Sequence, residues 1–270
     1  SKTISFDQDG NPSKALQGFL KSKGLSLDDI FYKDMGGTEY VFASVEHKSL
    51  SFTELIEANA ESIIRKIVFP KSMKWGGRDL RFARPIRWIV SLYNDKVVKF
   101  NLENIRVSNL TNGHRFLSKK DIEIPDAHDY MKLMEDNYVI VDNEERKAKI
   151  RLESERLAKS VGGSLQDDEA IIDQVTNLVE YPTPLLGTIK DQYLELPDEV
   201  VITPMKDHLR YFPVVDSKNR LMNHFITVRN GDDKYIDIVR KGNEKVLAAR
   251  LEDAKFFFNE DRKKDLEEYV

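Results

Sequence analysis

Helical and strand-forming segments are mixed along this chain without a regular repeat, and this pattern limits its possible folds most strongly. Apolar residues recur every three or four positions across residues 53–68, which predicts a helix that Pro70 ends. Two β-rich runs, residues 87–93 and 96–102, flank Asn94 and Asp95, which predicts a hairpin. Because strands and helices do not alternate as successive βαβ units, we expect an α+β fold and not a doubly wound sheet.

The rest of the chain contains further segments of both kinds. Asp142 can accept hydrogen bonds from the first N–H groups of a helix over residues 144–161, and the Gly162-Gly163 pair ends that helix. Further helices are predicted at residues 11–23, 127–136, 166–180 and 242–267, helical or mixed structure at 198–205, and strands at 40–46, 104–109, 138–141, 185–189, 211–215 and 221–228. We expect residues 1–50 to form a small N-terminal segment and residues 51–270 one larger domain, ending in a long helix.

Composition narrows the class of protein. No run approaches the roughly 20 apolar residues of a membrane span, and the start of the chain has no apolar signal segment. The first residue is not Met, so we expect the sequence to be a fragment of a longer protein. The absence of cysteine excludes disulfides, thiolate metal sites and a cysteine nucleophile. Together these features favour the cytoplasm.

Residues 65–87, here called the basic segment, carry eight Lys or Arg and one acid in a chain of net charge −4. Phe69, Trp75 and Phe82 lie among these cations, and Trp88 follows them. Cations attract phosphates and aromatic rings stack on unpaired bases, so the pattern predicts a polyanion surface, with RNA the leading candidate. The alternative is a buried strand at residues 86–92 with a solvated basic rim, and composition leaves both open.

Charge is segregated along the chain. Residues 121–145 hold nine Asp or Glu and a single Lys, in contrast to the basic segment. Separate basic and acidic zones can orient a polyanion or dock a partner subunit. A second basic cluster follows at residues 240–250, where Gly242 and Asn243 permit a tight turn into a helix N-terminus, a place that binds anions.

Recognised catalytic motifs are missing. The sequence contains no GxGxxG, GxxxxGK[ST], GxSxG or HExxH motif, and its five histidines show no metal-ligand spacing. His114 and His208 could each donate to a phosphate or ribose, or could be hydrogen-bonded structural residues. The sequence therefore predicts no catalytic residue and no metal site in this chain.

Seven segments, taken in order, resemble the β-subunit family of bacterial heterotetrameric glycyl-tRNA synthetases. They are FPKSMKWGGRDLRFARPIRW (69–88), TNGHRFL (111–117), EERKAKI (144–150), LVEYPTPLLG (178–187), LPDEVVITPMKDHLRYF (196–212), HFITVRN (224–230) and GNEKVLAARLEDAKFFFNEDRK (242–263). The ordered set spans nearly the whole chain. The chain resembles part of such a subunit, without the family's extreme N-terminus, HD-like domain and anticodon-binding region.

This resemblance implies a fold, and it implies that two subunits carry different functions. The fold it implies is a relative of the editing module in the β subunit of phenylalanyl-tRNA synthetase. The resemblance also implies an α2β2 enzyme whose α subunit uses ATP and Mg²⁺ for the chemistry, while the β subunit binds tRNA(Gly). This chain would then need no cofactor and would be inactive alone. The alternatives are a scaffold that docks the α subunit or later β domains, and a vestigial aminoacyl-tRNA hydrolase.

The candidate RNA contacts combine the basic clusters with the two histidine motifs. They are Lys71, Lys74, Arg78, Arg81, His114, Arg115, Lys206, His208, Arg240, Lys241, Lys245 and Arg250.

Overall fold

The computed structural model describes residues 2–7, 9–44, 49–166, 168–264 and 266–268. Helices and small sheets are mixed along these residues, which agrees with the predicted α+β class. The chain divides into two compact units, residues 1–58 and 59–270. Within the described ranges, no helix is both long enough and apolar enough to cross a membrane.

The first unit contains short helices and a hairpin. Its elements are α1 (Lys2–Ser5), α2 (Lys14–Lys23), β1 (Ile30–Asp34) and β2 (Glu39–Ala43), followed by the start of α3 (Phe52–Arg65). The Ser13 side chain accepts the N–H of Leu16 at the start of α2, and Gly24 ends that helix with φ of 66°. The predicted helices at 11–23 and 53–68 are therefore confirmed. The strand predicted at 40–46 is present as β2, and residues 45–48 lie outside the described residues.

Short strands dominate the first part of the second unit. They are β3 (Met73–Lys74), β4 (Arg81–Phe82), β5 (Trp88–Val90), β6 (Leu92–Tyr93), β7 (Lys96–Val97), β8 (Arg106–Ser108), β9 (Leu110–Thr111) and β10 (Ile122–Glu123), before helix α4 (Tyr130–Asp136). Strands β6 and β7 form the predicted hairpin, with Asn94 at a positive φ of 53°. Strand β5 pairs in parallel with β8. Leu80, Leu102 and Ile105 form a small core beneath them.

A four-stranded antiparallel sheet organises the rest of the second unit. Its elements are α5 (Asn143–Ser160), β11 (Ser164–Leu165), α6 (Glu169–Leu178), β12 (Pro182–Thr188), α7 (Asp198–Thr203), a π-helical turn (Pro204–Leu209), β13 (Phe212–Val215), β14 (Leu221–Asn230) and α8 (Ile236–Asp261). The strand order is β11-β13-β14-β12. The predicted β13–β14 hairpin, the α5 helix and its Asp142 cap are confirmed.

Both faces of this sheet are buried. Successive residues of β14 point to opposite sides of the sheet, so neighbouring residues of this strand show what covers each face. Ile226 packs into a cluster with residues of α5 and α6, whereas Phe225 packs on the other face with residues of α7 and α8. Gly187 on β12 lies opposite Phe225, and a Cβ there would stand 2.3 Å from its ring. The sheet is therefore the middle layer between two groups of helices.

Two predicted elements are wrong. Residues 138–141 form no strand: Tyr138 has φ of 61°, and the Ile140 N–H makes a single bond to the Glu180 carbonyl instead of a ladder. Residues 242–243 form no turn, because α8 already begins at Ile236 and runs through them. Asn243 is fixed within that helix by accepting the Tyr211 hydroxyl at 2.6 Å and donating to the Val239 carbonyl at 2.8 Å.

Candidate nucleic-acid interface

The basic segment is a folded loop in which part of the cationic charge is used internally. Arg78 donates to the Asn104 side chain and, at 2.7 Å, to the Ile86 carbonyl. Arg81 donates to the Ser72 carbonyl at 2.9 Å. Lys74 pairs with Asp79 at 2.8 Å across exposed side chains. Three of the four candidate contacts here therefore have partners inside the protein, and the acceptors of the two arginines are uncharged.

Other cations of the basic segment face solvent. Lys66, Lys71 and Arg84 are exposed, and none of them forms an ion pair with a described carboxylate. Arg87 lies over the ring of Trp88 at 5.9 Å. Aromatic residues inside the segment are engaged in packing: Phe69 meets Phe82 edge-on at 4.5 Å. The solvent-facing charge is thus carried by side chains around the loop, while its rings hold the loop together.

The TNGHRFL segment forms a loop pinned to the end of α4. The His114 N–H donates to the Asn137 carbonyl at 2.9 Å, and the Ser118 hydroxyl donates to the Asn137 side chain at 2.8 Å. A Cβ on Gly113 would come within 2.6 Å of the Asn137 carbonyl oxygen, so only glycine fits this close approach. These contacts hold the backbone of the loop in place immediately before Arg115 and Phe116.

His114 holds a buried donor without a partner. Its side chain is 2% exposed, and its Nδ1 accepts the Phe116 N–H at 3.3 Å. Because Nδ1 accepts, the ring proton of the neutral imidazole lies on Nε2. Nε2 has no hydrogen-bond partner among the described residues. Such an unsatisfied buried donor costs about 1–3 kcal/mol, so its presence in this loop calls for an explanation.

A cavity of about 640 Å³, here called the His114 cavity, lies beside this loop. Its lining includes His114, Arg115, Phe116, Arg146 and Glu180. Arg146 is 8% exposed and donates to the carbonyls of Thr176 and Ile140 at 2.9 and 2.6 Å. It forms no ion pair with any described carboxylate, so the groups that hold this buried positive charge are neutral acceptors.

Sequence reasoning missed Arg146 and Phe116. Arg146 belongs to a set of positions four apart on α5, which the structure buries together: Arg146, Ile150, Ser154 and Ala158. This spacing was the signal that could have found it, because residues four apart share one helix face. Phe116 is 82% exposed, and the Arg115 guanidinium lies 5.6 Å from its ring centre.

A second cavity of about 680 Å³ connects the two motifs. Trp88, the residue that follows the basic segment, and Gly113 in the TNGHRFL loop both line it. It adjoins the His114 cavity, since Tyr130, Val139 and Glu180 line both. The structure therefore brings the strand that follows the basic segment and the histidine loop to one continuous region.

The remaining candidate residues lie elsewhere on the second unit. Lys206 forms a half-buried ion pair with Asp168 at 2.5 Å, and Arg240 pairs with Asp237 at 2.9 Å. His208 is exposed on the π-helical turn, and Lys241, Lys245 and Arg250 are exposed on α8. None of these residues lines either of the two adjoining cavities. Among the residues that the structure describes, no group of three His, Asp or Glu could hold a metal ion.

Comparison with known proteins gives a consistent result. A family profile described as glycyl-tRNA synthetase beta subunit matches residues 1–270. The chain is 49% identical over 270 residues to the glycine–tRNA ligase beta subunit of Clostridioides difficile (strain 630), covering 100% of this chain and 39% of that protein. It is 44% identical over 266 residues to the glycine–tRNA ligase beta subunit of Desulforamulus reducens, covering 98% of this chain and 38% of that protein.

The relatives are components of an aminoacyl-tRNA synthetase. The chain belongs to the glycyl-tRNA synthetase beta-subunit family, which confirms the resemblance seen in the ordered motifs. It spans about two fifths of the length of the curated relatives that it matches, 38–39% in the two comparisons above.

Proposed function

We propose that this chain contributes tRNA binding to a glycine–tRNA ligase whose adenylate chemistry, with ATP and Mg²⁺, resides in the α subunit of an α2β2 assembly. The family membership supports the choice of RNA as the polyanion. The observation that carries the proposal is the exposed charge of the basic segment, where Lys66, Lys71 and Arg84 have no described carboxylate partner. Cations that are not neutralised within the protein are those that can replace the counterions of a phosphate backbone.

The salt dependence of tRNA binding tests this proposal. Lys71→Ala is expected to weaken binding of tRNA(Gly) and to reduce the slope of log K against log salt by about 1, since one phosphate contact is lost. The measurement is a fluorescence-anisotropy titration of labelled tRNA at several salt concentrations. Lys218→Ala is the matched control, because Lys218 is an exposed lysine in the β13–β14 turn and its loss changes net charge equally.

Equal salt slopes for the Lys71 and Lys218 variants would contradict the proposal. A general loss of attraction between the RNA and a more acidic protein changes both variants alike. The two salt slopes differ only if Lys71 itself contacts the RNA.

A structural scaffold is the second candidate, and one observation favours it. Arg78 and Arg81 donate to acceptors inside the basic segment and to the side chain of Asn104 in the same chain, so their role there is to shape the loop. In this case the segment would present a surface to the α subunit or to other domains of the β subunit. The two functions are compatible if the arginines hold the loop and the exposed cations make the contact.

A further inference from the structure

We propose that the His114 cavity receives one unpaired nucleotide of a bound RNA strand, with its base on Phe116 and its acceptor oxygens toward His114 and Arg146. This inference rests on the proposed RNA-binding function and assigns a particular site to it. The cavity of about 640 Å³ lies within the range of small-molecule sites. Three independent features of its wall point to this class of ligand.

The first feature is the unused donor on His114. With Nδ1 occupied by the Phe116 N–H, the Nε2 proton has no acceptor among the described residues. The loop is nevertheless fixed, because the His114 N–H binds the Asn137 carbonyl and Gly113 approaches Asn137 too closely for any side chain. The backbone that carries this donor is thus held in place, and because Nε2 is itself buried, an oxygen or ring nitrogen of a ligand would have to reach the cavity wall beside His114 to accept its proton.

The second feature is the charge of the wall. The charged groups that line the cavity are Arg115, Arg146 and Glu180, which sum to +1. Arg146 is buried and is held by neutral carbonyls, so its charge is less screened than that of a surface arginine. An anionic or strongly accepting group, such as a phosphate, suits this wall better than a cation or an apolar group.

The third feature is the exposed ring of Phe116. This side chain is 82% exposed at the rim of a polar cavity, and Arg115 lies against it. A base stacks on an aromatic ring whatever its identity, and the guanidinium adds attraction to the π-face. A planar base joined to a phosphate matches the ring and the charge together, whereas an acidic peptide would use only the charge.

The test compares two nucleotide probes on the full 270-residue chain. Binding of adenosine 5′-monophosphate and of a labelled pentamer of single-stranded adenylate RNA is measured for the unaltered chain and for Phe116→Ala and His114→Asn. In the latter variant, the Asn side-chain oxygen can replace Nδ1 as acceptor of the Phe116 N–H while the Nε2 donor is lost. Phe257→Ala is the control, since it removes a similarly exposed ring on α8, outside the cavity lining.

We expect about tenfold weaker RNA binding for Phe116→Ala and for His114→Asn, with Phe257→Ala unchanged. A parallel loss for the mononucleotide supports a nucleotide pocket, and a loss confined to the pentamer supports a site that binds the nucleotide within a strand. Unchanged pentamer affinity in Phe116→Ala, or no pentamer binding by the unaltered chain, overturns the inference. Because Phe116 is exposed, its variant carries the test even if His114→Asn does not fold. A lower salt slope in Lys71→Ala would leave the proposed function standing in either case.

Discussion

At the scale of single residues, the structure separates cations of the basic segment that hold the fold from cations that face solvent. Arg78 spans the loop by donating to Asn104 and to the Ile86 carbonyl, whereas Arg84 is exposed without a described carboxylate partner. The sequence predicts a cluster of positive charge but not this division. The division depends on which acceptors the folded backbone turns toward each side chain.

Arg78→Ala is expected to lower the free energy of unfolding by about 1–3 kcal/mol, because hydrogen bonds from a charged group are lost and the Ile86 carbonyl loses its partner. Arg84→Ala, the matched control, is expected to stay within about 0.5 kcal/mol, as is usual for exposed sites. Urea unfolding followed by circular dichroism measures both. Equal stability of the two variants would contradict the structural role assigned to Arg78.

At the scale of helices and strands, local signals predicted most elements. Helix-capping residues and hydrophobic periodicity predicted elements correctly where these signals were strong. Asp142 accepts the N–H groups of Glu144 and Glu145 at the start of α5, and β13–β14 is the predicted hairpin. The failures have tertiary causes. Gly242 reads as a turn residue, but α8 is held through it by the bond between Asn243 and Tyr211 and by burial of Leu247.

The candidate site was predictable only in part. The TNGHRFL motif pointed to His114 and Arg115, but the unpartnered Nε2 atom arises from the fold of the loop against Asn137. Arg146 reads as one more charge on a highly charged helix, and only its place on the α5 face that meets the sheet region buries it. Contacts between segments far apart in sequence determine such features, and a single sequence does not reveal those contacts.

Asp168 links two elements and gives a pH-dependent prediction. Its side chain accepts the Ile171 N–H at the start of α6 and pairs with Lys206 on the π-helical turn. Burial acts to raise the pKa of Asp168, but the Lys206 ammonium and the helix N–H groups outweigh it and hold the pKa below the ordinary value. A lowered pKa in the folded state stabilises the protein above about pH 4, and this stabilisation is lost as the pH falls through the folded-state value.

Asp168→Asn keeps a capping side chain and removes the ion pair, so we expect a loss of about 1 kcal/mol at pH 7, shrinking as the pH falls below about 4. Asp168→Ala removes both interactions and is expected to lose about 1 kcal/mol more. Unfolding free energies from urea titrations at pH 7 and pH 3 provide the check. A difference between the unaltered chain and Asp168→Asn that does not vary with pH would contradict the linkage.

At the scale of the whole molecule, residues 59–270 form one compact unit that contains two structurally different parts. The four-stranded sheet has a core on each face, with Ile226 on one side and Phe225 on the other. The short-stranded part has its own core around Leu102. Both tryptophans of the chain, Trp75 and Trp88, lie in the short-stranded part, so their fluorescence reports on that part and not on the sheet.

Phe225→Ala should therefore reveal whether the compact unit unfolds as one. Loss of this fully buried ring is expected to cost about 3–5 kcal/mol. If residues 59–270 unfold cooperatively, the urea midpoints from tryptophan fluorescence and from far-ultraviolet circular dichroism will fall together, because all probes of one transition agree. Phe257→Ala, which removes an exposed ring on α8 outside the sheet, is the control and should leave both midpoints nearly unchanged. A fallen dichroism midpoint with an unmoved fluorescence midpoint would show instead that the part bearing the basic segment is stable independently of the sheet.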